Sequence, residues 1–426
     1  MRIRSKNPWA LAALTTFCGL LGAPDRLFAQ PALCIRDLMG PTIMFPERRA
    51  RHPRTTAIPP RSGWRGWLDR VTHKAQDPLW PLRGANSTLD AAAIKPAILA
   101  SETGSQELSV VRINLPKDEY GDVLDDYDYV LTRMPRVKLV VIIEGRPFHH
   151  RAKFVESRIS PGNRDRVSFT VAPAGTMWAQ DGSKPLAAGN ATLMQSSGVI
   201  VQRPHYNQAT RALKRLRFAI QESQLPFEGG NVIVGDFHVF MGSDQIEYVM
   251  DEFDVTRSEV LNAYERQFGK PILEIGVSHP DNRAVQPAFH IDLFMTVARD
   301  WRKPGVENVV LLKDYSEASG ETRRELAFVS TLLKMNGYRV IPIPGSFEKP
   351  YHTYNNAILS GRTALVPSYR TALDDRAYEI YEELGYTVIS MPSSRRTILS
   401  QGAIRCVSET YRQGCVRLEA PEFAPK

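Results

Sequence analysis

From about residue 100 onward, short β-rich runs alternate with amphipathic stretches, and this alternation restricts the chain to an α/β architecture. VKLVVIIEG (137–145), RVSFTVAP (166–173), NVVLLKD (308–314) and YRVIPIP (338–344) read as strands. TRALKRLRFAIQES (210–223), SEVLNAYERQFG (258–269), ETRRELAFVSTLLKMNG (321–337) and DDRAYEIYEELG (374–385) carry apolar residues three and four apart and read as helices. The acidic run DEYGDVLDDYDY (118–129) lacks the ligand spacing of a calcium-binding EF-hand and reads as a solvated loop.

Two internal echoes narrow the architecture further. MNGYRVIPIP (335–344) matches ELGYTVISMP (383–392), each a helix end, a glycine and a strand. NVIVGDFHVFMGS (231–243) matches NAILSGRTALVPS (356–368), each an Asn-led hairpin with a central turn. Together they imply repeated ββαβ-like units.

The N-terminal part is different in kind. Arg2, Arg4 and Lys6 precede an apolar stretch from Trp9 to Ala23, too short to span a bilayer and of the length of a signal-peptide core, with cleavage expected after Ala23 or Ala29. Residues 1–29 are therefore read as a signal peptide, and the mature chain is expected to be secreted or periplasmic. No later run reaches 18 apolar residues, so no stable membrane insertion is expected. Residues 30–100 form an extension rich in Pro and Arg around MFPERRARHPRTTAIPPRSGWRGW (44–67), without periodicity. The catalytic domain is expected over 101–426. Lys and Arg exceed Asp and Glu by only 54 to 46, too mild an excess for a dedicated nucleic-acid-binding protein, and no nucleic-acid partner is expected. The four cysteines form no CxxC, which argues against a zinc ribbon or a thioredoxin-type centre.

Four patches carry the chemistry: Trp178-Ala179-Gln180-Asp181-Gly182, Phe227-Glu228-Gly229-Gly230-Asn231, His290-Ile291-Asp292 and Gly402-Ala403-Ile404-Arg405-Cys406. A strand through 290–292 would put His290 and Asp292 on one face. A thiol and a histidine form a nucleophile and general acid/base pair. Three carboxylates beside a thiol would raise its pKa, which suits a peptidase poorly. They suit a cationic substrate, because a planar guanidinium pairs well with carboxylates and, once bound, favours the thiolate.

In their order, these patches resemble the guanidine-modifying enzymes: agmatine, arginine and peptidylarginine deiminases and the amidinotransferases. The family order is W-x-x-D, then E-G-G-(N/D), then H-x-D, then a late turn ending in Cys. It is matched by Trp178 with Asp181, by Glu228 to Asn231, by His290 with Asp292, and by Cys406. HTYNNAILSG (352–361) is similar to the family's S-Y-x-N strand, with Asn356 at the Asn. The resemblance covers roughly residues 100 to 420 and implies the pentein fold, a five-bladed α/β propeller. It implies Cys406 as nucleophile, His290 as acid and base, Asp181 and Asp292 as guanidinium ligands, and Glu228 as the partner of His290. Trp178, Asn231, Asn356 and Arg405 are expected to contact or support the substrate, an arginine-containing peptide or small guanidine, without metal or organic cofactor. Three positions depart from the family: Gln180 stands where agmatine deiminases usually have Arg, Gly402 replaces a Gly run, and Arg405 replaces a His before the cysteine. If Cys406 stays reduced as the nucleophile, Cys34 and Cys415 are left to pair, Cys18 leaving with the signal peptide. Amidino transfer, amide hydrolysis by a Cys-His pair, and a non-catalytic secreted binding protein stand as alternatives.

Overall fold

Among the described residues, one order of elements recurs four times along the chain: a short strand, an antiparallel partner, a helical crossover, and a third strand parallel to the second; a fifth copy is completed when the last strand joins the first. The computed structural model describes residues 94–116, 121–145, 148–174, 176–187, 191–195, 209–278, 284–303, 309–347, 351–392 and 402–412. The expected signal peptide, most of the extension, Cys18, Cys34 and Cys415 lie outside the described residues.

In the first unit, β1 (Leu108–Leu115), α1 (Gly121–Arg133) and β2 (Lys138–Ile143) form a parallel strand–helix–strand crossover. The sheet is extended by α2 (Phe148–Arg158) and β3 (Val167–Val171), which is parallel to β2. The second unit holds β4 (Ser183–Pro185), β5 (Ala191–Gln195), α3 (Thr210–Arg215) and β6 (Ala219–Ser223). The third holds β7 (Val232–Val234), β8 (Val239–Gly242), α4 (Ser243–Phe253), α5 (Arg257–Phe268) and β9 (Ile272–Ile275). A small hairpin, β10 (Val277–Ser278) and β11 (Ala284–Val285), leads onward. The fourth holds β12 (Met295–Ala298), β13 (Val309–Lys313), α6 (Gly320–Met335) and β14 (Arg339–Ile343). The fifth holds β15 (Ile358–Ser360), β16 (Thr363–Ser368), α7 (Ala372–Glu383) and β17 (Thr387–Pro392). The last strand, β18 (Ser408–Arg412), pairs antiparallel with β1 and supplies the first unit with the strand it would otherwise lack.

Each unit packs on the next, and the fifth packs on the first. Val110 and Ile142 meet Met194 and Phe218 between units one and two. Leu193 meets Val232 and Phe268 between two and three. His238 hydrogen-bonds the Tyr338 hydroxyl at 2.7 Å between three and four. Leu311 meets Val366 and Tyr381 between four and five. Ile358 and Met391 meet Tyr127 and Val141 to close the cycle. The apolar runs in the central strands are buried on both faces, as parallel strands between helices must be. The ββαβ repeat is thus met five times, and the cycle of neighbours is the order a five-bladed arrangement requires. Both sequence echoes fall on equivalent positions: the first pair at β14 and β17, the second at β7–β8 and β15–β16.

The helix ends are encoded locally. α5 begins in a capping box, Thr256 with Glu259, and ends at Gly269 with φ 68°, a left-handed conformation that glycine adopts without strain. Ser319 and Thr371 cap α6 and α7 through their side-chain oxygens.

Three expectations are corrected. Residues 210–223 are not one helix: α3 stops at Arg215, Arg217 takes φ 61°, and β6 begins at Ala219. A left-handed residue at that point breaks the helical hydrogen-bond ladder. The acidic run is not a loop from Gly121 onward: it enters α1, whose Val123, Leu124, Tyr127, Val130 and Leu131 are buried while the acidic residues lie on its other side. Residues 94–100, placed by composition in the extension, contribute Ile94, Ala97 and Leu99 to the core shared by units two and three.

The closing strand carries a buried ion pair. Arg112 on β1 meets Glu409 on β18 at 2.8 Å, and Glu409 also accepts from Thr192 on β5 and from Tyr411. Removing one partner leaves an uncompensated buried charge, which typically costs about 3–5 kcal/mol. Glu409→Ala is therefore expected to lower unfolding stability by about that amount, read as a reduced urea midpoint. A midpoint unchanged from wild type would show that this ion pair does not stabilise the closure at β18.

Candidate active site

The chemical residues occupy one repeated position. Asp181 precedes β4, Glu228 and Asn231 precede β7, His290 and Asp292 precede β12, Asn356 precedes β15, and Cys406 precedes β18. Each sits in the turn that opens the first strand of a unit. Five sequence-distant turns therefore converge because the units are repeated.

At the centre is Asp292, fully buried. Its Oδ2 accepts from Asn356 Nδ2 at 3.0 Å, Gln180 Nε2 at 3.3 Å and Arg405 Nη1 at 2.6 Å. Cys406 Sγ lies 3.6 Å from the same oxygen and 3.0 Å from Asn356 Nδ2. Asn356 also holds the cysteine turn from behind, its Oδ1 accepting from the backbone N–H groups of Arg405 at 3.0 Å and Cys406 at 3.1 Å. Cys406 is a free, buried thiol.

His290 forms the second half. Its Nε2 is 2.8 Å from Glu228 Oε2, and its Nδ1 is 4.0 Å from Asp181 Oδ1. His290 is 4% exposed and Glu228 24%, so solvent reaches the pair from the Glu228 side. The backbone around them needs glycine. A Cβ on Gly230 would lie 2.2 Å from His290 Nδ1, and one on Gly229 would lie 1.9 Å from the carbonyl oxygen of Gln180. The EGG sequence is thus the only way the third unit's turn can approach His290 and Gln180 so closely. Gly402 plays the same part for Trp178, whose ring would lie 2.4 Å from an added Cβ.

Burial pushes the Cys406 thiol well above its usual pKa, and the charges of Asp292 and Asp181 add to this, with Arg405 opposing. For His290, burial alone would disfavour the imidazolium, but Asp181, Glu228 and Asp292 outweigh it and raise the pKa above the usual histidine value. Without ligand, burial and the carboxylates thus favour the protonated thiol, and the carboxylates favour the charged form of His290. A cation entering between the carboxylates would offset their field and release the thiolate.

Sequence reasoning put His290 and Asp292 on a strand; they flank and enter a 3-10 turn, Ile291–Leu293, instead. The turn still directs both into one site. Cys406, His290, Asp292, Asp181, Glu228 and Asn356 are brought together, and Trp178 packs against the cysteine turn through Gly402. Asn231 is not aimed into the site: its Nδ2 donates to the Phe289 carbonyl at 3.0 Å and its Oδ1 accepts from Gln286 at 2.9 Å, bracing the segment before His290. Arg405, expected to touch substrate, is turned into the protein, with its two terminal nitrogens on Asp292 and Glu102. Glu102 and Lys184, which ion-pair at 2.7 Å behind Arg405, were not identified from the sequence. Glu102 lies in the polar run SETGS and Lys184 in a loop-like stretch, and neither carries a motif.

No protein-family model matches the chain, and no curated protein matches it. Solved structures do. A Porphyromonas gingivalis chain with a provisional arginine deiminase assignment is 21% identical, with a TM-score of 0.58, over 75% of this chain and 99% of that one. An agmatine deiminase from C. jejuni is 15% identical, with a TM-score of 0.54, over 74% of this chain and 96% of that one. The fold is that of the deiminases. An agmatine deiminase of Enterococcus faecalis aligns similarly, at 11% identity and a TM-score of 0.54, over 75% of this chain and 96% of that one. This deiminase fold agrees with the resemblance carried by the ordered motifs.

The His290–Glu228 contact is directly testable. Removing the carboxylate with Glu228→Gln should bring the His290 pKa down, measured by NMR titration of the imidazole, because burial then faces less opposing charge. A pKa that does not move would mean that Glu228 does not sustain the imidazolium. The Cys406 thiol should likewise ionise only above the ordinary thiol range in the ligand-free protein. The difference in thiolate absorbance near 240 nm between wild type and Cys406→Ala should rise only at alkaline pH; a rise below pH 7 would contradict the electrostatics described.

Proposed function

We propose that the protein is a cysteine-dependent guanidine hydrolase that converts an arginine-type guanidinium to a ureido group and ammonia. One observation carries this reading: a buried thiol, a histidine held by a carboxylate and two further carboxylates converge on a deiminase fold. A substrate guanidinium would lie between Asp181 and Asp292, which complement its charge and planarity. Its charge favours loss of the Cys406 proton to solvent, and the thiolate attacks the guanidino carbon. His290, already protonated, delivers its proton to the departing ammonia and leaves a covalent thiouronium on Cys406. Neutral His290 then takes a proton from water, which attacks the same carbon and releases the ureido product and the thiol. Solvent access beside Glu228 supports the second half of the cycle. No step calls for a metal or an organic cofactor.

The substrate class follows from the N-terminal sequence. A signal-peptide-like segment supports action outside the cytoplasm, where arginine in peptides is an available guanidine. We therefore rank peptidyl-arginine first, with free arginine or agmatine second. Amidino transfer needs an acceptor amine and gains nothing from export. Among the described residues, no helix is long and apolar enough to cross a membrane.

The test is a ureido assay on purified protein under reducing conditions, offering an arginine-containing peptide, free arginine and agmatine. Product is expected with at least one substrate, most with the peptide. Cys406→Ala should abolish it, and His290→Ala should lower kcat by at least about 100-fold. Peptide-bond cleavage without ureido product would favour the amide-hydrolase reading. Salt-sensitive binding to polyanions without turnover would favour the non-catalytic one.

A further inference from the structure

Asp292 enters the site with one oxygen already committed. Its Oδ2 takes the donors of Arg405, Asn356 and Gln180, whereas Oδ1 is buried and has no hydrogen-bond partner among the described residues. Buried carboxylate oxygens are normally satisfied, so an orphan one beside a nucleophile is an acceptor kept for a ligand. Behind the carboxylate, Arg405 continues to Glu102, and Glu102 to Lys184 at 2.7 Å. Lys184, Glu102, Arg405 and Asp292 thus form a buried row of alternating charge that ends 3.6 Å from the Cys406 sulfur. The row draws on four separated segments: the strand β4, the run before β1, the turn before β12 and the turn before β18.

We propose that Arg405 is a positioning residue for the guanidine reaction: a resident guanidinium that clamps Asp292 through Oδ2, leaves Oδ1 as that carboxylate's acceptor for the substrate, and weakens the negative field at Cys406. The proposal rests on the reading of Cys406 as nucleophile. The chemistry explains why arginine suits the position. Its planar fork reaches Asp292 with one terminal nitrogen and Glu102 with the other, which a point-charge ammonium cannot do. Burial alone would disfavour the charge on Arg405, but the two carboxylates overturn this and keep it ionised. Glu102 is held ionised in the same way: burial opposes its charge, and Arg405 and Lys184 restore it. The groups facing the thiol are then Asp292 and Asp181, which hold it protonated, Arg405, which opposes them, and the phenols of Tyr127 and Tyr369, which burial keeps neutral.

The test has two readouts: thiol titration, which does not depend on turnover, and kcat. Thiolate absorbance would be titrated in wild type, Arg405→Lys, Arg405→Met and the double variant Arg405→Met/Glu102→Gln, with circular dichroism as the check on folding. The double variant removes a cation and an anion together, so it folds where the single Met variant leaves Glu102 and Asp292 exposed to each other. In whichever Met-containing variant folds, the Cys406 midpoint is expected to rise by about one pH unit or more, as loss of a nearby opposing charge requires. Arg405→Lys is expected to keep the midpoint near wild type while lowering kcat at least about tenfold, because the charge stays and the clamp is lost. An unchanged midpoint in a folded Met-containing variant, or a wild-type kcat in Arg405→Lys, would overturn the proposal. If wild type makes no ureido product but the midpoints move as described, the functional reading fails and the electrostatic role of Arg405 stands. The converse pattern, turnover with unmoved midpoints, removes only the role of Arg405.

Discussion

A carboxylate with no exposure to solvent must be compensated by the protein, and here that requirement falls on Asp292. Its Oδ2 gathers donors from the turn before β4, the turn before β15 and the turn before β18. One buried charge therefore ties three units to the fourth, to which it belongs. Cys406 is placed by the same set of contacts, because Asn356 binds the carboxylate with its nitrogen and the backbone of the cysteine turn with its oxygen. The geometry of the candidate site and the packing of the units are two consequences of one compensation.

The repeat explains how residues so far apart in sequence meet. Each unit begins with a turn that delivers a short strand, and the cycle of units brings these turns together. Variation within that common position supplies the chemistry: Asp in one turn, Glu with two glycines in the next, His and Asp in a third, Asn in a fourth, Cys in the last. The glycines are steric needs of this convergence, since Gly229, Gly230 and Gly402 each face a neighbouring group closer than a Cβ permits.

Much of this was legible in the sequence, for physical reasons. α5, α6 and α7 carry strong three- and four-residue periodicity and side-chain caps, and β2, β13 and β14 are continuous apolar runs. The two echoes anticipated equivalent strands because repeated packing imposes repeated patterns. The segment 210–223 misled because β6 is AIQES, a partly exposed strand with little apolar signal, joined to α3 by a turn without Gly or Pro. The apolar stripe of α1 was masked by the acidic residues between its members. In the site, the cysteine, the histidine and the carboxylates have chemistry that draws attention wherever they stand. Glu102 and Lys184 do not, since an ion pair between residues 82 positions apart leaves no local trace. Arg405 stands out in the sequence as a departure, but its direction, into the protein and onto Asp292 and Glu102, is a property of the folded cycle alone.

On the proposed mechanism, Cys406 forms a bond to the guanidino carbon during turnover. Acid-quenching the reaction within the first turnovers, followed by intact-mass and peptide mass spectrometry, tests it most directly. The expected result is an adduct on Cys406 equal to the mass of the substrate less that of ammonia, formed transiently and absent from Cys406→Ala. Ureido product accumulating while Cys406 stays unmodified at every quench time, with the Cys406→Ala protein still turning over, would contradict it.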